Sequence, residues 1–491
     1  MHREGRLSAA DALYARSLKL EPGNAQALRL CGILARERND LTASINLLKQ
    51  AAAAAPENPE PLGELALSYM AAGDLQRADV SFRAALKCDP KSRKVLANLG
   101  ALLQRRGHQR EAIILHRRYL ELEPTDLEVR CNLANALVDA GCGAEALAEC
   151  DRTLAIAPGH PMALANQGAV LCGLEQFERA AEVLDGAVAR NPADEIALIN
   201  LGYARSRMRQ YHAAVSVLDR AVRINPDNAK ATADLAGAHM ALEQFAQAIV
   251  LCEHFLDRHP GERLVLATYA YALLDADRRA DFRAIMNFDD LIQVFDLDAP
   301  PGYASLAAFN GALASRIQDH PSIQDSPLSK ATMEGDQTGE LDLDESPELA
   351  ALGKLIDGTF QVAVERLRDS GFSDHPAMAY ASDAWALRIW GVVLGDGGRQ
   401  APHQHPLGWM SGVYYVRLPA DMPAASPHAG WLEFGVPPER LAVSSESETR
   451  AVEPVEGRLV VFPSYLYHRT LPFESADPRI SIGFDIVPKL I

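Results

Sequence analysis

The sequence predicts an α+β multidomain protein, with an all-α repeat superhelix first and a β-rich domain last. Three observations predict it. Prolines recur every 34 residues through the first half. After about Ser382 the chain turns to short runs of β-branched and aromatic residues, broken by Gly, Pro and Asp. Histidines gather within that second pattern.

Pro22, Pro56, Pro90, Pro124, Pro158, Pro192, Pro226 and Pro260 set the period. Small residues keep the same register at Gly32, Ala66, Gly100, Ala134, Gly168, Gly202 and Ala236. There the two helices of a repeat must approach closely. A second small series runs through Ser44, Ala78, Ala112, Ala146, Ala180, Ala214 and Ala248. A 34-residue helix-turn-helix period is the tetratricopeptide signature, and residues 1 to 260 resemble that family. Residues 7 to 21 read as a second helix with no first helix before it. Either the true start lies upstream or the cap is unusual, and the exposed half-repeat is a candidate homodimer contact.

A third series stands at Glu64, Asn98, Asn132, Asn166, Asn200 and Asp234, on the first helix of each repeat. An asparagine amide both donates and accepts, so such a ladder can pair with the backbone of an extended peptide. The series resembles the ladder in the repeats of O-GlcNAc transferase. The plainer alternative is a structural asparagine on a scaffold that docks a partner. Asn98, Asn132, Asn166, Asn200 and Asp234 are the candidate peptide-groove residues.

The period predicts a repeat array over residues 1–275. Residues 276–347 read as a cap and an acidic linker. The polar stretch 318–347 holds Asp336, Glu340, Asp342, Asp344 and Glu345 and is expected to be a solvated loop. Residues 348–491 form the last domain. It opens with an amphipathic helix over 348–369, with Leu352, Leu355, Ile356, Phe360, Val364 and Leu367 at helical spacing. Strands are expected at 385–394, 411–418, 430–434, 458–462 and 480–487. Five or more short strands in about 110 residues fit a double-stranded β-helix, or jelly roll.

His403 and His405 lie just before the strand at 411, at i and i+2, so both imidazoles point to one side of an extended segment. His468 follows the strand 458–462. Two ligands from one strand end and a third from a distant strand can hold one face of an iron ion and leave the other open. Arg479 can clamp the distal carboxylate of 2-oxoglutarate, with Ser481 facing the same way. Of Tyr414 and Tyr415, which face opposite sides, Tyr415 is the candidate to reach the cosubstrate. Trp409 and Trp431 are candidates for either the pocket mouth or packing, and His428 is expected to have no ligand role.

Residues 350–491 resemble the 2-oxoglutarate and Fe(II)-dependent oxygenases. The nearest branch carries His-x-His-Pro, here His403 to Pro406. It also has a Ser-Gly-Val-Tyr-Tyr strand, here Ser411 to Tyr415, and Phe-Pro-Ser leading to a histidine, here Phe462 to His468. The resemblance implies Fe(II) and 2-oxoglutarate as cofactors and hydroxylation as the reaction. Most of that superfamily has a carboxylate where this chain has His405. A three-histidine site still binds iron. Glu433 is the alternative source of a carboxylate.

The net charge of −17 argues against nucleic acid and anionic membranes as partners. No apolar run suits a signal peptide or a membrane span. The seven cysteines follow no disulfide or zinc spacing, which suits a reducing compartment, and a cytoplasmic location is expected. The array argues for a protein or peptide substrate. The alternatives are a non-catalytic metal-binding jelly roll on an assembly scaffold, or an oxygenase of a small or carrier-bound metabolite.

Overall fold

The computed structural model describes residues 7–325, 331–382, 384–422 and 428–489. The chain falls into two compact units, Met1–Ala136 and Leu137–Ile491.

In the first unit, helices pair as antiparallel hairpins, for example Ala25–Glu37 with Leu41–Ala54 and Pro59–Ala71 with Leu75–Cys88. Asparagine or aspartate side chains cap many helix starts. Asn24 accepts from the Ala27 N–H and Asp40 from the Ala43 N–H, so a backbone donor that the helix leaves unpaired finds an acceptor. Each first helix ends in a left-handed residue. Asn39, Gly73, Gly107, Gly141, Glu175, Arg209, Glu243 and Asp277 all have φ between 57° and 79° and stand 34 residues apart. Only three are glycine, so this turn was not evident from the sequence.

The second unit holds further hairpins, among them Pro161–Gly173 with Phe177–Arg190 and Glu195–Arg207 with Tyr211–Ile224. Arg263–Asp275 is the first helix of the hairpin that follows Pro260. The small-residue series is a contact, as expected. A Cβ on Gly168 would lie 2.4 Å from the Leu184 side chain, and one on Gly202 would lie 2.4 Å from Leu218. In six of the seven pairs volume is traded, the exception being Ala66, which stands sixteen positions before the buried Phe82. Gly32, Gly100, Gly168 and Gly202 face Leu48, His116, Leu184 and Leu218. Where the small residue is Ala134 or Ala236, the residue sixteen positions later is Cys150 or Cys252.

After the helices comes a curled antiparallel sheet of the jelly-roll type. Its strands are β1 (Gln293–Asp296), β2 (Gln324–Asp325), β3 (Thr332–Gln337), β4 (Trp385–His403), β5 (Met410–Arg417), β6 (Leu432–Phe434), β7 (Arg450–Val452), β8 (Arg458–Pro463), β9 (His468–Thr470) and β10 (Arg479–Pro488). The order is β1-β8-β5-β10-β4-β9-β6-β7, with β3 pairing β2 and β4. The first half of β4 pairs with β10 and its far end with β9, so one long strand serves both parts of the sheet.

The acidic stretch is not all solvated loop. Residues 332–337 pair with β4 from Thr332↔Gln400 to Gln337↔Val392. Thr332 and Gln337 are buried while Met333 and Glu334 are exposed. Pairing with β4 and burial at both ends of the strand outweigh the acidic composition. Within 276–347, β1 also joins the sheet, beside β8.

One face of the sheet packs on helices Leu306–Gln318 and Pro347–Asp369. Tyr414 donates its hydroxyl to Asn310 Oδ1 at 2.7 Å, and a Cβ on Gly391 would meet Ile317 at 2.5 Å. Helix Arg263–Asp275 reaches three loops of the sheet. Arg263 Nε donates to the Gly408 carbonyl at 2.7 Å, and the Tyr271 hydroxyl to the Gly435 carbonyl at 3.0 Å. The Asp275 carboxylate accepts the Ser445 N–H at 2.8 Å.

Gly202→Ala forces a methyl into the Leu218 side chain, and overpacking of this kind costs about 1–3 kcal/mol. Chemical denaturation is expected to show that loss for the single variant and recovery of most of it in Gly202→Ala/Leu218→Cys, the pairing found at 236 and 252. A double variant no better than the single one refutes the volume trade.

Candidate metal centre

The second face of the sheet carries the site. Across an antiparallel ladder, paired residues share a face. Arg479, Ser481, Gly483 and Asp485 of β10 pair with Leu394, Val392, Trp390 and Arg388 of β4. On the other side Ser481, Gly483 and Asp485 pair with Tyr415, Val413 and Ser411 of β5. These residues therefore line one surface, and Ile480, Ile482, Phe484 and Ile486 feed the opposite core.

His403 ends β4 and pairs with His468 at the start of β9, and His405 follows two residues later. Donor atoms of the three lie within 4.8 Å of one another. Ring centroids are 4.3 Å apart for His403 and His468, 5.0 Å for His405 and His468, and 5.2 Å for His403 and His405. Each Nδ1 has its own acceptor. His403 donates to the Ala401 carbonyl at 2.8 Å and His468 to the Leu466 carbonyl at 2.9 Å. His405 donates to Asp485 Oδ1 at 2.5 Å. With Nδ1 occupied as a donor, Nε2 of each ring keeps a free lone pair.

Burial favours the neutral, metal-binding form of His403 and His468. It pushes His403 down to about 3, helped by the neighbouring His405, and holds His468 well below the ordinary range. Burial alone would raise the Asp485 carboxyl, but the adjacent His405 and the Ser411 hydroxyl overrule it and hold it low. The walls are aromatic: the Phe462 ring is 4.7 Å from His468 and the Trp390 ring 5.4 Å from His405.

Arg479 is 1% exposed. Its guanidinium lies 5.1 Å from the Tyr415 ring, and Nη1 donates to Ser481 Oγ at 3.3 Å. Among the described residues, Arg479 Nε and the Tyr415 hydroxyl are buried without a hydrogen-bond partner. An unpaired buried donor is costly, and the guanidinium's own Nε–H with one hydroxyl beside it suits a carboxylate. Tyr415 thus faces the site and Tyr414 the helices. Next to this corner, Val392, Leu394, Met422, Ala429 and Phe473 form a separate apolar cluster that Trp390 and Leu418 flank.

Glu433 takes no part. It pairs in register with Arg469 and is bound to it at 2.6 Å, while Phe434 shares the face of His468. Trp409 is buried against Phe360 and donates to the Ala377 carbonyl at 2.6 Å, so it packs and lines no pocket mouth. The His428 ring lies tilted against Trp431 at 4.3 Å, outside the triad. The sequence reading missed Asp485, Ser411, Ser464 and Trp390. For Asp485 the available signal was its i+6 position from Arg479 on an alternating strand.

The groove series is uneven. In the first unit Asn132 is half-buried, and the Asn98 amide donates to the Lys94 carbonyl at 2.7 Å within its own helix. In the second unit Asn166 and Asn200 are half-buried, with Met162 and Ile196 exposed four residues earlier. Asn166 Nδ2 is buried without a partner among the described residues. Asp234 has internal partners instead. Lys230 binds it, and Arg440 lies 3.5 Å away, carried by the short turn Glu439–Leu441 that packs beside Gly237.

Residues 388–485 match the family model described as "Putative 2OG-Fe(II) oxygenase". Tetratricopeptide-repeat models match residues 3–59, 35–103 and 206–270. Similar solved structures include YrrB, titled a TPR protein with an unusual peptide-binding site. It is 22% identical, with 38% of this chain and 95% of that one covered and a TM-score of 0.35. A tetratricopeptide repeat protein from Parabacteroides merdae is 17% identical, with 48% and 92% covered and a TM-score of 0.43. PilW, a type IV pilus biogenesis factor, is 22% identical, with 42% and 96% covered and a TM-score of 0.38. No curated protein matches the chain.

His468→Ala is expected to weaken Co(II) or Zn(II) binding by about 100-fold or more, on the scale of one lost imidazole ligand. Glu433→Gln is expected to leave it unchanged. Calorimetric titration of the metal-free variants checks both, and an effect of Glu433→Gln would return it to the ligand set.

Proposed function

We propose that this chain, which joins tetratricopeptide repeats to a domain of the 2OG-Fe(II) oxygenase type, is a 2-oxoglutarate- and Fe(II)-dependent oxygenase that hydroxylates a protein or peptide. The observation that carries the reading is the set of three imidazoles, each with Nδ1 donating and Nε2 free for one ion. Three nitrogen donors on one side suit ferrous iron and leave positions open. When bound, iron with 2-oxoglutarate and dioxygen supplies the oxidising power that turns a substrate C–H into C–OH, with succinate and carbon dioxide released.

The chain's own residues do the rest. Arg479, Ser481 and the Tyr415 hydroxyl hold the distal carboxylate of 2-oxoglutarate, as the unpaired Arg479 Nε and Tyr415 hydroxyl invite. The apolar cluster around Val392 and Phe473 keeps water from that corner and strengthens the charge pairing. Asn166 and Asn200 offer amides to an extended substrate segment, with Met162 and Ile196 as apolar rests. Asp234 serves differently, as the point where Arg440 of the β domain meets the repeats.

Succinate release by the full chain with iron, ascorbate and 2-oxoglutarate tests the activity, and His468→Ala is expected to abolish it. Arg479→Ala removes one partner of a desolvated charge pair, worth about 2–5 kcal/mol. The concentration of 2-oxoglutarate for half-maximal turnover is therefore expected to rise at least about 30-fold, with metal affinity unchanged. Metal binding without any succinate would favour a non-catalytic module. Asn166→Ala/Asn200→Ala is expected to spare turnover of 2-oxoglutarate alone and to lower only the increment that a peptide substrate adds. An unchanged increment would favour a small-molecule substrate.

A further inference from the structure

We propose that Asp485 supplies, one hydrogen bond outside the metal, the negative charge that related oxygenases supply through a carboxylate ligand. The inference rests on the three-histidine centre described above.

The first observation is an asymmetry. His403 and His468 donate Nδ1–H to neutral backbone carbonyls. His405 occupies the position where the wider superfamily carries Asp or Glu, and it alone donates to a carboxylate, at 2.5 Å. The residue that replaced a carboxylate is the one backed by a carboxylate.

The second observation is how Asp485 is held. It is 7% exposed. Its Oδ1 also accepts from Ser411 Oγ at 2.6 Å, and the hydroxyls of Ser411 and Ser464 are 2.7 Å apart. Gly408 closes over this group. A Cβ there would lie 2.5 Å from Ser464 Oγ and 3.0 Å from Asp485 Oδ1. Two cations face the carboxylate from neighbouring elements, and both are engaged elsewhere. Arg388 pairs with Glu340 at 2.9 Å, and Arg263 donates to the Gly408 carbonyl while its guanidinium lies 4.3 Å from the Tyr380 ring. The hydrogen bonds to this buried carboxylate come from one imidazole and one hydroxyl.

A buried charge with so few partners is costly unless something nearby offsets it. A divalent ion on His405 Nε2 does so. The carboxylate makes the imidazole a stronger donor to the metal and fixes its tautomer. Across one ring in a buried site the attraction is weakly screened. Three neutral imidazoles leave a ferrous centre at +2, and counting Asp485 returns it to +1. That is the sum for two histidines and one carboxylate. The charge is kept, and only its distance from the metal has changed.

The test is a Co(II) titration of the metal-free full chain, read by visible absorption, which needs no turnover. Asp485→Asn keeps the size of the side chain and an oxygen that accepts from His405. It therefore removes the charge while sparing the position. Binding is expected to weaken about 10- to 100-fold, the usual effect of losing such an outer partner. Wild-type affinity in Asp485→Asn overturns the proposal. His405→Asp, which recreates the usual ligand pair, is expected to bind Co(II) more weakly than the wild type, because two carboxylates then crowd one buried corner. Equal or tighter binding by His405→Asp also overturns it, and decides the matter if Asp485→Asn does not fold. Failure of the wild type to bind Co(II) would instead remove the three-histidine centre itself.

Discussion

The centre depends on where three imidazole N–H groups go. An imidazole can bind a metal through either nitrogen, and the hydrogen bond made by one decides the use of the other. Here all three Nδ1 atoms are committed, two to carbonyls two residues back and one to Asp485. The carbonyl bonds are local, so the backbone turns at 401–403 and 466–468 set those rings as the chain folds. The third bond spans 80 residues and forms only when β10 lies beside β5. Sheet closure and completion of the histidine cluster are therefore one event.

The same dependence reaches back to the repeats. Helix Arg263–Asp275 ends the regular 34-residue series, yet its side chains hold loops of the sheet at Gly408, Gly435 and Ser445. The first of these loops runs between His405 and β5. Its position bears on the His405–Asp485 hydrogen bond directly, since Gly408 stands against Asp485. A second connection runs from Asp234 through Arg440 to the Tyr467 hydroxyl at 3.1 Å, and Tyr467 precedes His468. The end of the array is thus part of the β domain's support, and helical and β segments share one continuous core.

Much of this was legible in the sequence, and what was missed has physical reasons. The proline ruler and the small-residue series report a contact that recurs in every repeat, so they repeat visibly. His403, His405 and His468 were legible because spacing on strands fixes which way side chains point. Residues 332–337 were not, because acidic composition signals solvent, and a bulged strand buried only at its two ends leaves no alternating pattern to read. Glu433 could be weighed as a ligand only until the register set it opposite Arg469, one position out of phase with His468. Asp234 looked equivalent to the asparagines by period alone. Its difference lies in Arg440, over 200 residues away, and no local pattern announces such a pair.

β10 shows how one short segment carries both stability and chemistry. Its even-numbered residues Ile480, Ile482, Phe484 and Ile486 are fully buried in the main core. Its odd-numbered residues Arg479, Ser481 and Asp485 are buried on the other side, and each is polar. Gly483, between them, has no side chain because the Trp390 indole fills that place, and a Cβ there would meet it at 2.7 Å. Trp390 in turn flanks His405. A shift of one residue in the register of β10 would turn the isoleucines toward the three histidines and bury Arg479 and Asp485 in apolar surroundings, losing core and histidine cluster together. The apolar half of the strand therefore enforces the placement of the polar half. This is why an arginine and an aspartate can both be held, nearly without solvent, on one face of the same strand.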